Sequence, residues 1–166
     1  MAEIKIRYYP SSDLSISLAG LASDTNLLTG VESDAVNNQS ARYLDYLLSG
    51  KITTGTSPTV NTEIRIYVAG LLNDGAFPDV LDGTGSAETL TSANVRDAAL
   101  RLAAVLIVSA SSNVAYFFGP VSVAALFGGQ MPSKFVVFVT HNTAVNLNAT
   151  AGNHFISLVP ITETIE

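Results

Sequence analysis

Residues 62–70, TEIRIYVAG, decide the fold: Ile64, Ile66 and Val68 alternate with Arg65 and Tyr67, the period of a strand with one buried face. The same period of two recurs on either side. Leu14, Ile16 and Leu18 alternate with Ser15, Ser17 and Ala19. Ile4, Ile6 and Tyr8 alternate with Lys5, Arg7 and Tyr9, and Pro10 then interrupts the pairing. Further strands are expected over 41–52, 100–109, 114–120, 135–141 and 155–162, all rich in Val, Ile, Leu, Tyr or Phe.

Turn chemistry separates these runs. Gly55 and Pro58 sit between two strands, and ASSN at 110–113 reads as a tight hairpin. The longest irregular stretch is 73–94, a length usually associated with function or with covering a core face. Helix is scarce. Ser92 is placed to N-cap a short helix through Asp97 and Ala98, and 23–30 has room for a turn or two. Seven or eight strands with no βαβ alternation predict an all-β, two-sheet sandwich with at most one or two short helices. A jelly roll is the first expectation, because long loops joining broad strands suit its wiring; an immunoglobulin-like sandwich is second, without a Trp or a Cys pair to support it. Residues 1–12 form an N-terminal arm or edge strand and 13–166 one sandwich domain. A short strand set off by a proline is free to add to a neighbouring subunit's sheet.

Composition narrows the function. The 166 residues are 48% hydrophobic and only 13% charged, about half the usual charged share. Ser, Thr, Asn and Gly must therefore solubilise a surface that does not strongly resist protein contacts. The net charge is −6 and the eight cations are scattered, which argues against direct nucleic-acid binding and against a membrane surface. There is no cysteine, hence no disulfide or thiolate chemistry. The opening MAEIKIRYYP lacks the apolar run of a signal peptide, and the longest apolar stretch, 102–108, is far short of a bilayer span, so a soluble protein is expected.

No catalytic apparatus is legible. There is no G-x-S-x-G elbow, and any triad would need His141 or His154. If 135–141 and 155–162 paired as a hairpin, these two imidazoles would meet at the base of an Asn-rich loop, half of a zinc site; the plainer alternative is that both hydrogen-bond the loop ends. Asp74, Asp79, Asp82 and Glu88, interleaved with glycines, offer calcium-type oxygens, but without the spacing of an EF-hand, and a solvated loop is the default. The G-x-G of DGTGSAE opens no helix and has no third glycine. Asn38 and Asn148 head glycosylation-type triplets that carry no weight without secretion. Tyr43, Tyr46, Tyr67, Tyr116, Phe117 and Phe118 could stack on sugars, although strand aromatics more often fill cores. The expectation is no catalytic residue, no cofactor and no metal.

Four phrases, SGKITTGTSPTVNTEIRIYVAG (49–70), FPDVLDGTGSAETLTSANVRDAALRLAAV (77–105), GPVSVAALFGGQMPSKFVVFVTHNT (119–143) and VNLNATAGNH (145–154), resemble a family of tailed-bacteriophage virion proteins. The similarity runs from about Leu18 to Pro160. It implies a small non-enzymatic structural protein, made in the bacterial cytoplasm and built into the virion, with the major capsid protein or other virion proteins, and further copies of itself, as partners. Capsid decoration (cement) is the favoured role, a head–tail or tail-surface component the alternative, and a carbohydrate-binding sandwich a further one. The net negative charge would discourage adhesion to packaged genome.

Overall fold

The computed structural model describes residues 3–73 and 75–165 as two antiparallel sheets packed face to face. Eleven strands are found: β1 Ile4–Tyr8, β2 Ser12–Asp13, β3 Thr29–Glu32, β4 Val36–Asn37, β5 Asp45–Thr53, β6 Glu63–Gly70, β7 Ala87–Thr89, β8 Arg101–Ile107, β9 Ala115–Ser122, β10 Lys134–His141 and β11 Phe155–Ile165. One sheet runs β1-β11-β5-β9, with β2 also on β11; the other runs β7-β3-β10-β6-β8, with β4 also on β10. Two short helices, α1 Ala93–Ala99 and α2 Val123–Leu126, and a 3-10 turn complete the described residues. Ser92 caps α1 as its sequence predicts, accepting from the Val95 N–H at 3.2 Å.

The alternating residues meet between the sheets. Ile64, Ile66 and Val68 of β6 and Phe135, Val137 and Val139 of β10 face Leu48, Ile52, Phe118, Ile156 and Leu158 from the first sheet, all buried. A second core lies on the outer side of β6 and β10. There Tyr67, Ala69, Val136 and Phe138 are covered by Phe77, Leu81, Leu90 and Leu100 from the long 71–100 excursion. The irregular stretch is thus a lid over one sheet. Its helix is pinned by Arg96, whose guanidinium donates to the carbonyls of Asn26 (3.2 Å) and Leu27 (3.1 Å) and forks onto Asp97 (2.8 and 3.1 Å).

Three expectations change. Residues 14–18 do bury Leu18 and half-bury Leu14 and Ile16, but they join no regular ladder. The Leu14 N–H donates to the Ile156 carbonyl in one sheet, and the Ser15 carbonyl accepts from Asp34 beside the other. The segment bridges the sandwich edge, so its alternation reports burial without strand pairing. The turn at 110–113 joins β8 to β9 across the two sheets instead of closing a hairpin within one. Likewise β10 and β11 lie in opposite sheets and do not pair.

The N-terminal strand is the edge strand of its own sheet. β1 pairs with the far half of β11, from Ile4 opposite Ile165 to Tyr8 opposite Ile161. All five of its residues are exposed. The ribbon is anchored at its base, where Tyr9 donates its N–H to Pro160 and starts an edge-to-face series through Tyr43 and Tyr46 to the core residue Phe135, at 5.1, 5.4 and 5.4 Å between centroids.

Candidate functional site

The histidines fall on different structural duties. His141 is fully buried; its Nε2–H donates to the Leu21 carbonyl (3.0 Å) and its Nδ1 lies 2.9 Å from the Thr143 hydroxyl. A hydroxyl beside an imidazole is two-thirds of a catalytic triad. Here both groups are buried, the Thr143 hydroxyl donates to the Val145 carbonyl, and the far imidazole nitrogen meets a carbonyl where a triad needs a carboxylate. His154 receives the Thr53 N–H on Nδ1 (3.3 Å) and bonds the Asn148 carbonyl through Nε2 (2.8 Å). Both rings therefore tie loop backbone in place, and the imagined hairpin that would have joined them does not form. A groove of about 520 Å³ runs past His154, but both of that ring's nitrogens are already engaged.

Burial pushes both imidazoles below their ordinary value of 6.5, opposed by the Leu21 and Asn148 carbonyls; Lys51 adds to the fall at His154. The unfolded chain thus binds protons more readily than the folded one at these positions. Stability is complete above the ordinary value and is lost as pH falls through it. The melting temperature is expected to level off above the ordinary imidazole value and to decline as pH falls below it. Replacing His141 and His154 together by Asn should lower the plateau but flatten that decline. A slope unchanged in the double variant would assign it to the carboxylates.

The acidic loop separates into local duties. Asp79 accepts from the N–H of Thr91 (2.8 Å) and from its hydroxyl, stapling the lid. Asp82 accepts from the N–H (3.0 Å) and hydroxyl (2.6 Å) of Thr84, and Glu88 from the Ser86 hydroxyl (2.8 Å). Asp74 lies outside the described residues. A further acid from outside the loop, Glu32 of β3, joins Asp82 and Glu88. Sequence reading confined to the loop misses it, although a glutamate between Val31 and Ser33 at the end of a buried strand is the signal that could have found it. The two Asn of the glycosylation-type triplets are structural: Asn38 bonds both the N–H and carbonyl of Tyr43, and Asn148 bonds Asn113, Thr150 and Asn153.

Of the six aromatics, Tyr46, Tyr67 and Phe118 are buried, Tyr43 and Tyr116 half-buried, and Phe117 exposed. They form no common platform. Phe117 belongs instead to the outer face of the first sheet, which no lid covers. Across three strands Phe155, Lys51 and Phe117 stand in register, with Lys51 Nζ 5.6 Å from the Phe155 ring centre. Along β11 the same face continues through Val159 and Ile161 to the ribbon. There Ile4, Ile6, Tyr8 and Ile165 are 61–73% exposed, close to Phe117 at 68%. Six exposed apolar side chains on one sheet face make a contact surface; on the other sheet the lid covers the outer face of β6 and β10, while its edge strand β8 leaves Leu102, Val105 and Ile107 exposed. The strand register, which the linear sequence does not carry, is what places Phe155 and the ribbon on one side.

Comparison with protein-family models found no family that matches, and comparison with curated proteins found no match.

Proposed function

We propose that this chain is a non-enzymatic structural protein of a tailed-bacteriophage virion, and that it acts as a capsid decoration protein clamping neighbouring capsid subunits. The observation that carries this reading is the uncovered apolar face of the first sheet, extended beyond the body by the β1–β11 ribbon. A surface of this kind is stable in a monomer only at some cost and gains by being buried against another protein. Its low charge supports the same reading, since few ions are stranded when it is covered. Among the described residues each histidine is engaged with backbone carbonyls, which favours structure over catalysis.

The wiring supports a jelly roll. Taking β2, β3, β5, β6, β8, β9, β10 and β11, each sheet receives four strands, and every connection except β6 to β8 crosses to the other sheet. The partners are then the major capsid protein and other copies of this chain, and the place of action is the virion.

The test is co-expression with the major capsid protein of the same phage, followed by sedimentation of assembled shells. The expected result is a fixed ratio of this chain to capsid subunits in the shell fraction, lost on replacing Ile6 and Phe117 together by Asp. Shells that sediment without it, while isolated tails carry it, would overturn the capsid role in favour of the tail alternative. Specific retention on a glycan array by a protein absent from both would favour the carbohydrate alternative.

A further inference from the structure

The lid loop closes over a carboxylate that its own chain leaves half satisfied. Glu32 is 0% exposed. Its Oε1 accepts three backbone N–H groups, from Asp82 (3.2 Å), Gly83 (2.8 Å) and Thr84 (3.2 Å). Gly83, at a φ of +78°, takes the left-handed conformation that turns these successive amides to one point. Its Oε2 is buried and has no hydrogen-bond partner. A buried carboxylate oxygen without a donor is costly, and such atoms call for an explanation.

Two further carboxylates converge on the same place. One oxygen from each of Glu32, Asp82 and Glu88 lies within 4.8 Å of the other two. The nearby hydroxyls are already spent: Thr84 donates to Asp82, Ser86 to Glu88, and the two hydroxyl oxygens stand 3.1 Å apart. None of the ion pairs found among the described residues, Lys5–Glu3, Arg65–Glu63 and Arg96–Asp97, reaches this cluster. Three acids thus meet at a buried carboxylate that keeps one unpartnered oxygen, and no ion pair among the described residues balances them.

We propose that Glu32, Asp82 and Glu88 bind one calcium ion, which fastens the lid loop to β3. The donors are all oxygen, the set preferred by hard cations, and no imidazole or thiolate is present to favour zinc or copper. Oxygens bound to one Ca²⁺ at 2.3–2.6 Å stand at most about 5 Å apart, which these three satisfy without rearrangement. Glu32 supplies the inner ligand, rigidly held by three amides. Asp82 is exposed and Glu88 half-buried, so water can complete the outer coordination. Burial, with the Asp82 carboxyl beside it, raises the Glu32 pKa. This site is distinct from the contact surface above, and it is not the acid set that the loop sequence suggests. Asp79 is turned to Thr91, and β3 provides the third carboxylate in its place.

The experiment uses the full chain, stripped with EDTA and dialysed free of it, then titrated with CaCl₂ in calorimetry and thermal melting. One ion per chain is expected, with Kd below about 1 mM and a melting temperature raised by about 5–10 °C at saturation. Asp82→Asn and Glu88→Gln, both outside the core, should fold normally and each weaken binding at least about tenfold. Glu32→Gln keeps an oxygen for the three amides but removes the buried charge. It should abolish the calcium response while leaving the metal-free melting temperature unchanged or higher. The proposal is overturned by the absence of heat and of any melting shift up to about 5 mM Ca²⁺. A shift that persists in D82N and E88Q, that NaCl of equal ionic strength reproduces, or that Mg²⁺ produces at lower concentration than Ca²⁺ would equally overturn it.

Discussion

Replacing Arg96 by alanine is expected to lower the stability of the free protein by about 3 kcal/mol, or roughly 6–12 °C in melting temperature for a chain of this size. Arg96 is 5% exposed although it is an arginine on a seven-residue helix. It is buried because the lid must be fastened at its far end, where the turn before β3 leaves the carbonyls of Asn26 and Leu27 pointing inward. Its planar fork reaches both while its other edge holds Asp97, and its guanidinium lies 5.9 Å from the Tyr67 ring centre. Alanine removes the donors, leaves two carbonyls short of partners and opens the space over Tyr67. Lysine cannot restore the arrangement, since an ammonium has no fork, and should recover less than half of the loss. Asp97→Ala separates the contributions: its side chain is 59% exposed, so the change should cost under about 1 kcal/mol. Equal losses for Arg96→Ala and Asp97→Ala, measured by urea unfolding, would mean that the ion pair and not the carbonyl contacts fastens the lid.

That lid also explains what the sequence could and could not show. The strands at 63–70 and 155–165 are legible because period-two alternation follows from one buried face. In β10 the alternation fails: Phe135 to His141 are buried without a break. A continuous apolar run of that kind marks burial on both faces, and the second covering is the 71–100 excursion. Pairing partners were less accessible. Residues 135–141 and 155–162 are neighbours in sequence with a loop between them, which suggests a hairpin, yet they occupy opposite sheets. Alternation states that one side of a strand is buried; it carries no label for which sheet the strand joins. The same limit applies at 14–18, where the burial pattern is right but the backbone spends its hydrogen bonds on two different sheets. The acid site was half legible. Asp82 and Glu88 are close in sequence, whereas Glu32 is brought to them only by the pairing of β3 with β7 and the closure of the loop.

Removing residues 1–8 should leave the melting temperature within about 2–4 °C of the intact chain while weakening capsid binding by at least about tenfold. The reasoning starts from the ribbon's own balance. The residues of β1 are exposed, and among the described residues its ladder is with β11. Ordering each residue costs roughly 1–2 kcal/mol of backbone freedom, while an exposed ladder hydrogen bond returns about 0.5–1.5 kcal/mol, so the strand adds little to the free domain. Tyr9, which carries the anchor to Pro160 and Tyr43, is retained by this deletion, so the core keeps its aromatic series. What the deletion takes away is Ile4, Ile6 and Tyr8, half of the exposed apolar side chains on the proposed contact face, together with the ordered edge that holds Ile165 beside them. A two-stranded ribbon is marginal alone, so β11 beyond Ile161 should fray as well. Loss of binding with near-normal melting assigns the ribbon to assembly. A melting temperature lowered by more than about 10 °C would instead make it part of the fold's own support, and the contact surface would shrink to the row of Phe155, Lys51 and Phe117.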